Sequence, residues 1–178
     1  MRHAYGCFHP CGLPGHHAGS RRCCPVSGRN DRRVLLGALN PRTAHRIVVQ
    51  SERETGPGAR ALLAELRRRF RAAPTIWVLL DRGPAHTAAP TQRLAAELNI
   101  QLIWLPKQWP EWNAMEQLWR ELKRLVAANR QAETVDHLAR QAENWLLELS
   151  PQEALRKAGV LSENFWLKHL LQNLWPPT

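Results

Sequence analysis

Two carboxylates in this chain of 178 residues stand where they could serve a divalent metal. Asp81 ends the apolar run from Ile76 to Leu80, and Glu116 falls in the opening turn of the helical stretch that follows the next apolar run, 35 positions later. Cleavage or transfer of a phosphodiester near neutral pH needs an activated water or hydroxyl and relief of charge on the leaving oxygen. Two Mg²⁺ ions about 4 Å apart supply both. Mg²⁺ favours carboxylate oxygens as ligands. Each acid also has a plainer reading. Asp81 precedes Arg82-Gly83-Pro84 and can tighten that turn. Asn113 and Glu116 can form an N-cap with its reciprocal acid, a device that stabilises a helix by about 1 kcal/mol. Spacing alone leaves both readings open.

The elements that must carry these residues are short. Residues 33–39 read as a buried strand, 40–43 as a turn and 45–50 as the hairpin partner. After a polar loop at 51–58, Ala61, Leu62, Leu63, Leu66 and Phe70 recur at helical spacing, with Arg67, Arg68, Arg69 and Arg71 near the end of that helix. The run 76–80, bounded by Pro74 and by Asp81-Arg82-Gly83-Pro84, reads as a central strand covered on both faces. A short helix at 91–98, a buried strand at 101–105 and a loop at 106–113 follow. A helix over 114–128 then places Met115, Leu118, Trp119, Leu122, Leu125 and Val126 on one stripe, with Glu116, Arg120 and Lys123 beside it. Amphipathic helices at 135–149 and 151–158 close the series, Pro151 suiting a first helical turn. The order predicts a mixed α/β layered fold, and ligands of such sheets lie beyond the carboxyl ends of the strands, where Asp81 is placed.

Lysine and arginine number 25 against 15 acids, for a net charge of +10 and a pI near 10.7, which makes nucleic acid the expected partner. No window approaches the roughly 18 apolar residues of a membrane span, and the first ten residues lack the apolar core of a secretory signal. All four cysteines (Cys7, Cys11, Cys23 and Cys24) fall in the first 24 residues and cannot staple the main body. A soluble, intracellular protein without membrane contact is expected. Residues 1–25, rich in Gly, Pro, His and Cys and without apolar period, read as an unstructured leader. With His16 and His17 they contain ligands enough for zinc, but at spacings that match no strong zinc pattern.

Longer words in the sequence narrow the chemistry. IWVLLDRGPAHT from Ile76 and LIWLPKQWPEWNAMEQLWRELKR from Leu102 resemble the DDE transposases of the Tc/mariner superfamily, in its bacterial insertion-sequence branch. That family has an acid at the end of an apolar strand, a histidine five positions on, a strand ending in Leu-Pro, and Pro-Glu-hydrophobic-Asn-Pro-hydrophobic-Glu entering a tryptophan-containing helix. Here Asp81, His86, Leu105-Pro106, the segment from Pro110 to Glu116 and Trp119 take those places. Ser27-Gly28-Arg29-Asn30 and the strand pair after it also resemble the family, so the likeness covers about residues 26–167 of a domain expected to run to 170, with 171–178 as a tail.

The resemblance implies an RNase H-like fold, a mixed sheet flanked by helices, with three acids binding two Mg²⁺ or Mn²⁺ ions. Asp81 takes the second place and Glu116 the third, with His86 and Asn113 supporting them. Lys107, Arg120, Lys123 and Arg124 are the expected DNA contacts, DNA meaning both transposon ends and target. The chain also departs from the pattern: no Asp or Glu precedes Asp31, and nothing before residue 26 reads as the central first strand that carries the first acid. Arg82 stands for a common asparagine and Ala114 for the usual proline. The expectation is therefore a partial catalytic domain, inactive alone and binding metal weakly at most. The alternative is a non-catalytic DNA-binding or oligomerising fragment that modulates a full-length transposase, as a homo-oligomer or in its assembly. A host RNase H-type nuclease or junction resolvase shares the fold without the Pro-Glu-Trp-Asn segment. Among the eight tryptophans, Trp77, Trp119 and Trp145 read as core, and Trp109 and Trp112 as loop residues able to stack on bases.

Overall fold

A computed structural model describes residues 2–5, 33–52, 56–106, 112–128 and 134–168 of the chain. Strands β2 (Arg33–Leu39) and β3 (Arg46–Ser51) pair antiparallel, in the register Val34 opposite Ser51 through Leu39 opposite Arg46. Their turn is built by Asn40, whose side-chain oxygen accepts from the amides of Arg42 and Thr43 at 2.9 and 3.2 Å. Strand β1 (Arg2–Tyr5) lies antiparallel on the other edge of β2, opposite Arg33 to Leu36. The sequence reading leaves that place empty, and the structure puts a strand there. Arg-His-Ala-Tyr has neither an apolar run nor an alternating one, and ladder pairing joins backbone to backbone without needing a side-chain pattern. Residues 6–25 of the expected leader and the tail at 171–178 lie outside the described residues.

Strands β4 (Ile76–Leu80) and β5 (Ile100–Trp104) pair parallel as a second sheet, which among the described strands is not hydrogen-bonded to the first. Around the two sheets run α1 (Gly56–Arg69), α2 (Pro84–Thr87), α3 (Ala89–Glu97), α4 (Ala114–Ala128), α5 (Val135–Glu148) and α6 (Pro151–Lys157). Of these only the short α2 has no counterpart in the sequence reading.

Consecutive residues of a strand face opposite sides, and β2 uses this to fill two cores. Val34 and Leu36 join Ile47, Leu62, Leu63 and Leu66 of α1, Ala95 of α3 and Ile100 of β5, with Ile76, Val78 and Leu102 packed against them. Leu35 points the other way, into Met115, Leu118, Trp119 and Leu122 of α4, Ala139, Ala142 and Leu146 of α5, and Ala158 and Val160. The result is three layers, helix over sheet over helix. At Gly37 a Cβ would come within 2.8 Å of the Met115 methyl and 2.9 Å of the Trp119 ring, so the missing side chain is what lets α4 sit down on β2.

The second sheet departs from the sequence reading. Its inner face joins the α1 core, but Trp77 and Ile103 on the outer face are 50% and 40% exposed, so β4 is not covered on both sides. An unbroken apolar run does not by itself say how many faces are covered. Here α4 and α5 are gathered over β2 and β3, with α6 against α4. Leu125, expected on the buried stripe of α4, is likewise 46% exposed, and among the described side chains of that helix Leu122 is the last in the core. Among the described residues no helix is long and apolar enough to cross a membrane.

Candidate active site

Asp81 follows directly from the last residue of β4, and its side chain is 51% exposed. Its Oδ1 accepts the Gly83 amide at 2.9 Å, so the turn-tightening role is present in the structure. That bond fixes one oxygen and aims the carboxyl group, which is what a metal ligand on a strand end also requires. Next comes α2, with Pro84 in its first turn and His86 buried inside it. His86 Nε2 lies 3.7 Å from Asp81 Oδ1, too far for a hydrogen bond but close enough for a protonated ring to attract the carboxylate.

Glu116 occupies the first turn of α4, where the positive end of the helix dipole favours an anion. The turn is capped by Asn113, buried, whose Oδ1 accepts the Met115 amide at 3.0 Å and whose carbonyl accepts the Glu116 amide at 2.9 Å. The cap expected from the sequence is therefore Asn113, holding Glu116 through the backbone. Asp81 is thus placed with His86, and Glu116 with Asn113. The two pairs are joined through the sheet, because Leu105, just past β5, donates its amide to the carbonyl of Leu80 at 2.9 Å, beside Asp81. The chain leaves for Glu116 from that point.

Two carboxylates on a strand end and a helix entry are hard oxygen donors of the kind Mg²⁺ and Mn²⁺ take. They fit such an ion by chemistry but fall short in number. Among the described residues no three His, Cys, Asp or Glu side chains come together as a metal-binding group. Strand β1 contributes no acid, its residues being Arg-His-Ala-Tyr. The Cys- and His-rich segment weighed for zinc lies outside the described residues.

The expected DNA-facing cations on α4 are exposed but differently engaged. Arg120 donates to Gln117 Oε1 at 3.0 Å and Arg124 pairs with Glu121 at 2.7 Å, both within one turn, while Lys123 is solvent-exposed. The Arg120 guanidinium thus turns along the helix to Gln117. Lys107 and Trp109 lie outside the described residues. Trp119 is buried as expected and Trp145 partly so, with Lys157 5.9 Å from the centre of its ring. Trp112 is not a free stacking platform. Its ring is stacked on Trp166 at 4.8 Å between centroids, and Trp166 Nε1 donates to the Trp112 carbonyl at 2.9 Å. The sequence offered no sign of Trp166, which stands 54 positions away at the far end of the chain.

Set beside known proteins, the chain matches the DDE superfamily endonuclease family over residues 15–139. It is 25% identical over 134 residues to an uncharacterized 39 kDa protein of insertion element IS630 from Shigella sonnei, a match over 75% of this chain and 39% of that protein. The chain therefore spans well under half the length of that relative. Among solved structures it resembles the Mos1 transposase catalytic domain with raltegravir and Mg (TM-score 0.60, 13% identity, 76% of this chain and 73% of that one). It also resembles the Mos1 transposase paired-end complex with the left transposon end (TM-score 0.64, 15% identity, 92% of this chain and 52% of that one). These likenesses carry the fold, RNase H-like, as the sequence words implied. The chain belongs to the DDE superfamily endonucleases, and the branch that its sequence words and these relatives share is that of the Tc/mariner transposases.

Proposed function

We propose that this chain is a partial transposase catalytic domain that engages DNA but does not cut it unaided. Asp81 and Glu116 stand in the second and third places of the acid triad and hold a divalent ion weakly. The proposal is supported by two local placements, an acid at the β4 end beside buried His86 and an acid at the α4 entry capped by buried Asn113, while β1 brings no acid. Bound there, Mg²⁺ or Mn²⁺ would polarise a phosphate oxygen. The chain's own part is to present the carboxylates, Asp81 aimed by its turn and Glu116 by the helix cap. The net charge of +10 and the exposed Arg120, Lys123 and Arg124 supply the attraction for the phosphate backbone. DNA as partner is supported by the Mos1 structure of similar fold, which holds a transposon end.

Strand β1, Arg-His-Ala-Tyr, brings no carboxylate beside β2, and this favours a non-catalytic role, DNA binding that competes with or joins a full-length transposase. The test is a nicking assay on labelled duplex DNA with Mg²⁺ or Mn²⁺, run with the wild type, Asp81→Ala and Glu116→Ala. The expected result is duplex binding that weakens steeply with salt, and no metal-dependent cutting by any of the three. Cutting by the wild type that both substitutions abolish would overturn the inactive reading and keep the metal site. Absence of duplex binding at low salt would remove the proposal altogether.

A further inference from the structure

We infer that Trp166 is a positioning residue for Glu116, acting from the C-terminal segment through Trp112 and Asn113; the inference rests on the reading of Glu116 as a metal ligand. Three consecutive links make the connection. The Trp166 indole N–H donates to the Trp112 carbonyl at 2.9 Å, and the two rings stack at 4.8 Å with planes 19° apart. The next residue, Asn113, is buried and caps α4 through its side chain on the Met115 amide at 3.0 Å. The Asn113 carbonyl then accepts the Glu116 amide at 2.9 Å.

The core holds the body of α4 from Met115 onward, and the peptide before Asn113 needs a separate anchor. Met115, Leu118 and Trp119 seat the helix on β2 and α5, and Trp112 and Asn113 lead into it. A helix entry is anchored by its cap, and the peptide before the cap sets the direction in which the chain arrives. Trp166 fixes that peptide twice, by a hydrogen bond to its carbonyl and by a ring on its side chain. The anchor is itself held, because Phe165, its neighbour, packs against the core formed by α4 and α5. Groups that orient a metal ligand from one shell out change metal affinity by about 10- to 100-fold when removed.

The experiment compares the wild type with Trp166→Phe, Trp166→Ala, Glu116→Gln and Asp81→Asn. Trp166→Phe keeps the stack and deletes the donor. Mn²⁺ alone is the probe, with free ion followed by electron paramagnetic resonance. Hydrogen exchange of the Met115 and Glu116 amides is read alongside, with the α5 amides and the thermal midpoint as controls. The expected result for Trp166→Phe is Mn²⁺ binding weakened by roughly 10-fold and faster exchange confined to the first turn of α4, with α5 exchange and thermal midpoint as in the wild type. Trp166→Ala should show both effects more strongly. Unchanged exchange at Met115 and Glu116 in Trp166→Phe would overturn the inference, as would faster exchange spread equally over α5. If Glu116→Gln and Asp81→Asn bind Mn²⁺ as the wild type does, the metal reading falls, and the localised exchange still decides whether Trp166 positions Glu116.

Discussion

Strands β2 and β4 are spelled alike, Arg-Val-Leu-Leu-Gly-Ala-Leu against Ile-Trp-Val-Leu-Leu, yet they live in different surroundings. β2 is buried on both faces, with Val34, Leu35 and Leu36 essentially without exposure, α1 below and α4 and α5 above. β4 is buried below only, with Trp77 half exposed above. The two candidate ligands are divided along the same line. Glu116 rides on α4, seated on the doubly covered sheet, and Asp81 ends a strand of the half-covered one. The geometry between them rests on the α1 core that both sheets share and on the Leu80–Leu105 hydrogen bond. The well-packed half holds its acid on a seated, capped helix, and the open half holds its acid by a turn.

The largest effect should come from removing side chains at the doubly covered strand. Leu35→Ala leaves a cavity at the meeting of β2, α4 and α5, where replacement of a buried leucine costs about 2 to 5 kcal/mol. Chemical denaturation should show a midpoint shift of that size with an unchanged slope. A loss below about 1 kcal/mol would mean that α4 is not seated as described and that the two sheets are more alike than they look. Second in size is Gly37→Ala, whose new Cβ meets the Met115 methyl at 2.8 Å and the buried Trp119 ring at 2.9 Å. Overpacking of that kind costs typically about 1 to 3 kcal/mol. In a Met115→Ala background, itself destabilised by its cavity, the added cost of Gly37→Ala should fall only in part, since the indole remains.

A smaller effect tests the helical cover of the first sheet at its edge. Ser150 begins α6 with a complete capping box: its hydroxyl accepts the Glu153 amide at 3.2 Å, while Glu153 accepts from the Ser150 hydroxyl and amide at 2.7 and 3.1 Å. Ser150→Ala should cost about 1 kcal/mol near neutral pH. The Ser150 hydroxyl and then its amide, with Lys157 and Arg156 adding charge, hold the Glu153 carboxyl below its ordinary value. A carboxylate whose value is lowered on folding stabilises the fold above its unfolded value, about 4.3, and loses that stabilisation as pH falls through the lowered one. The gap between wild type and variant in thermal midpoint should therefore be steady above about pH 5 and narrow in more acidic solution.

How much of this was legible follows from what kind of signal each feature leaves. The run Ile76 to Leu80 and the stripe from Met115 to Leu122 announced β4 and α4 because periodicity records which side of an element is apolar. Asp81, His86, Asn113 and Glu116 could be picked out because local words place them at element ends, where a strand or a helix entry leaves a side chain near the sheet's carboxyl edge. Strand β1 left no such mark, since Arg-His-Ala-Tyr pairs through its backbone. The exposed face of β4 was invisible for the opposite reason: an apolar side chain looks the same whether or not a helix covers it. Trp166 was beyond reach because its partner is 54 positions away, and a contact of that separation is set by the path of the whole tail.

The smallest expected effect is the one that most directly separates the two strands' surroundings. Ile103 lies on the outer face of the second sheet, directly opposite Leu79 in the parallel register, and is 40% exposed. Threonine keeps the branched carbon that suits a strand and removes apolar surface that already meets water, so Ile103→Thr should stay within about 0.5 kcal/mol of the wild type. The same exchange at a site like Leu35 would bury an unpartnered hydroxyl at a cost of about 1 to 3 kcal/mol. Measured by urea denaturation at several protein concentrations, Ile103→Thr should change neither midpoint nor slope. A loss above about 1.5 kcal/mol would show that this face is covered in solution after all, and a loss that grows with protein concentration would show that another copy of the chain covers it.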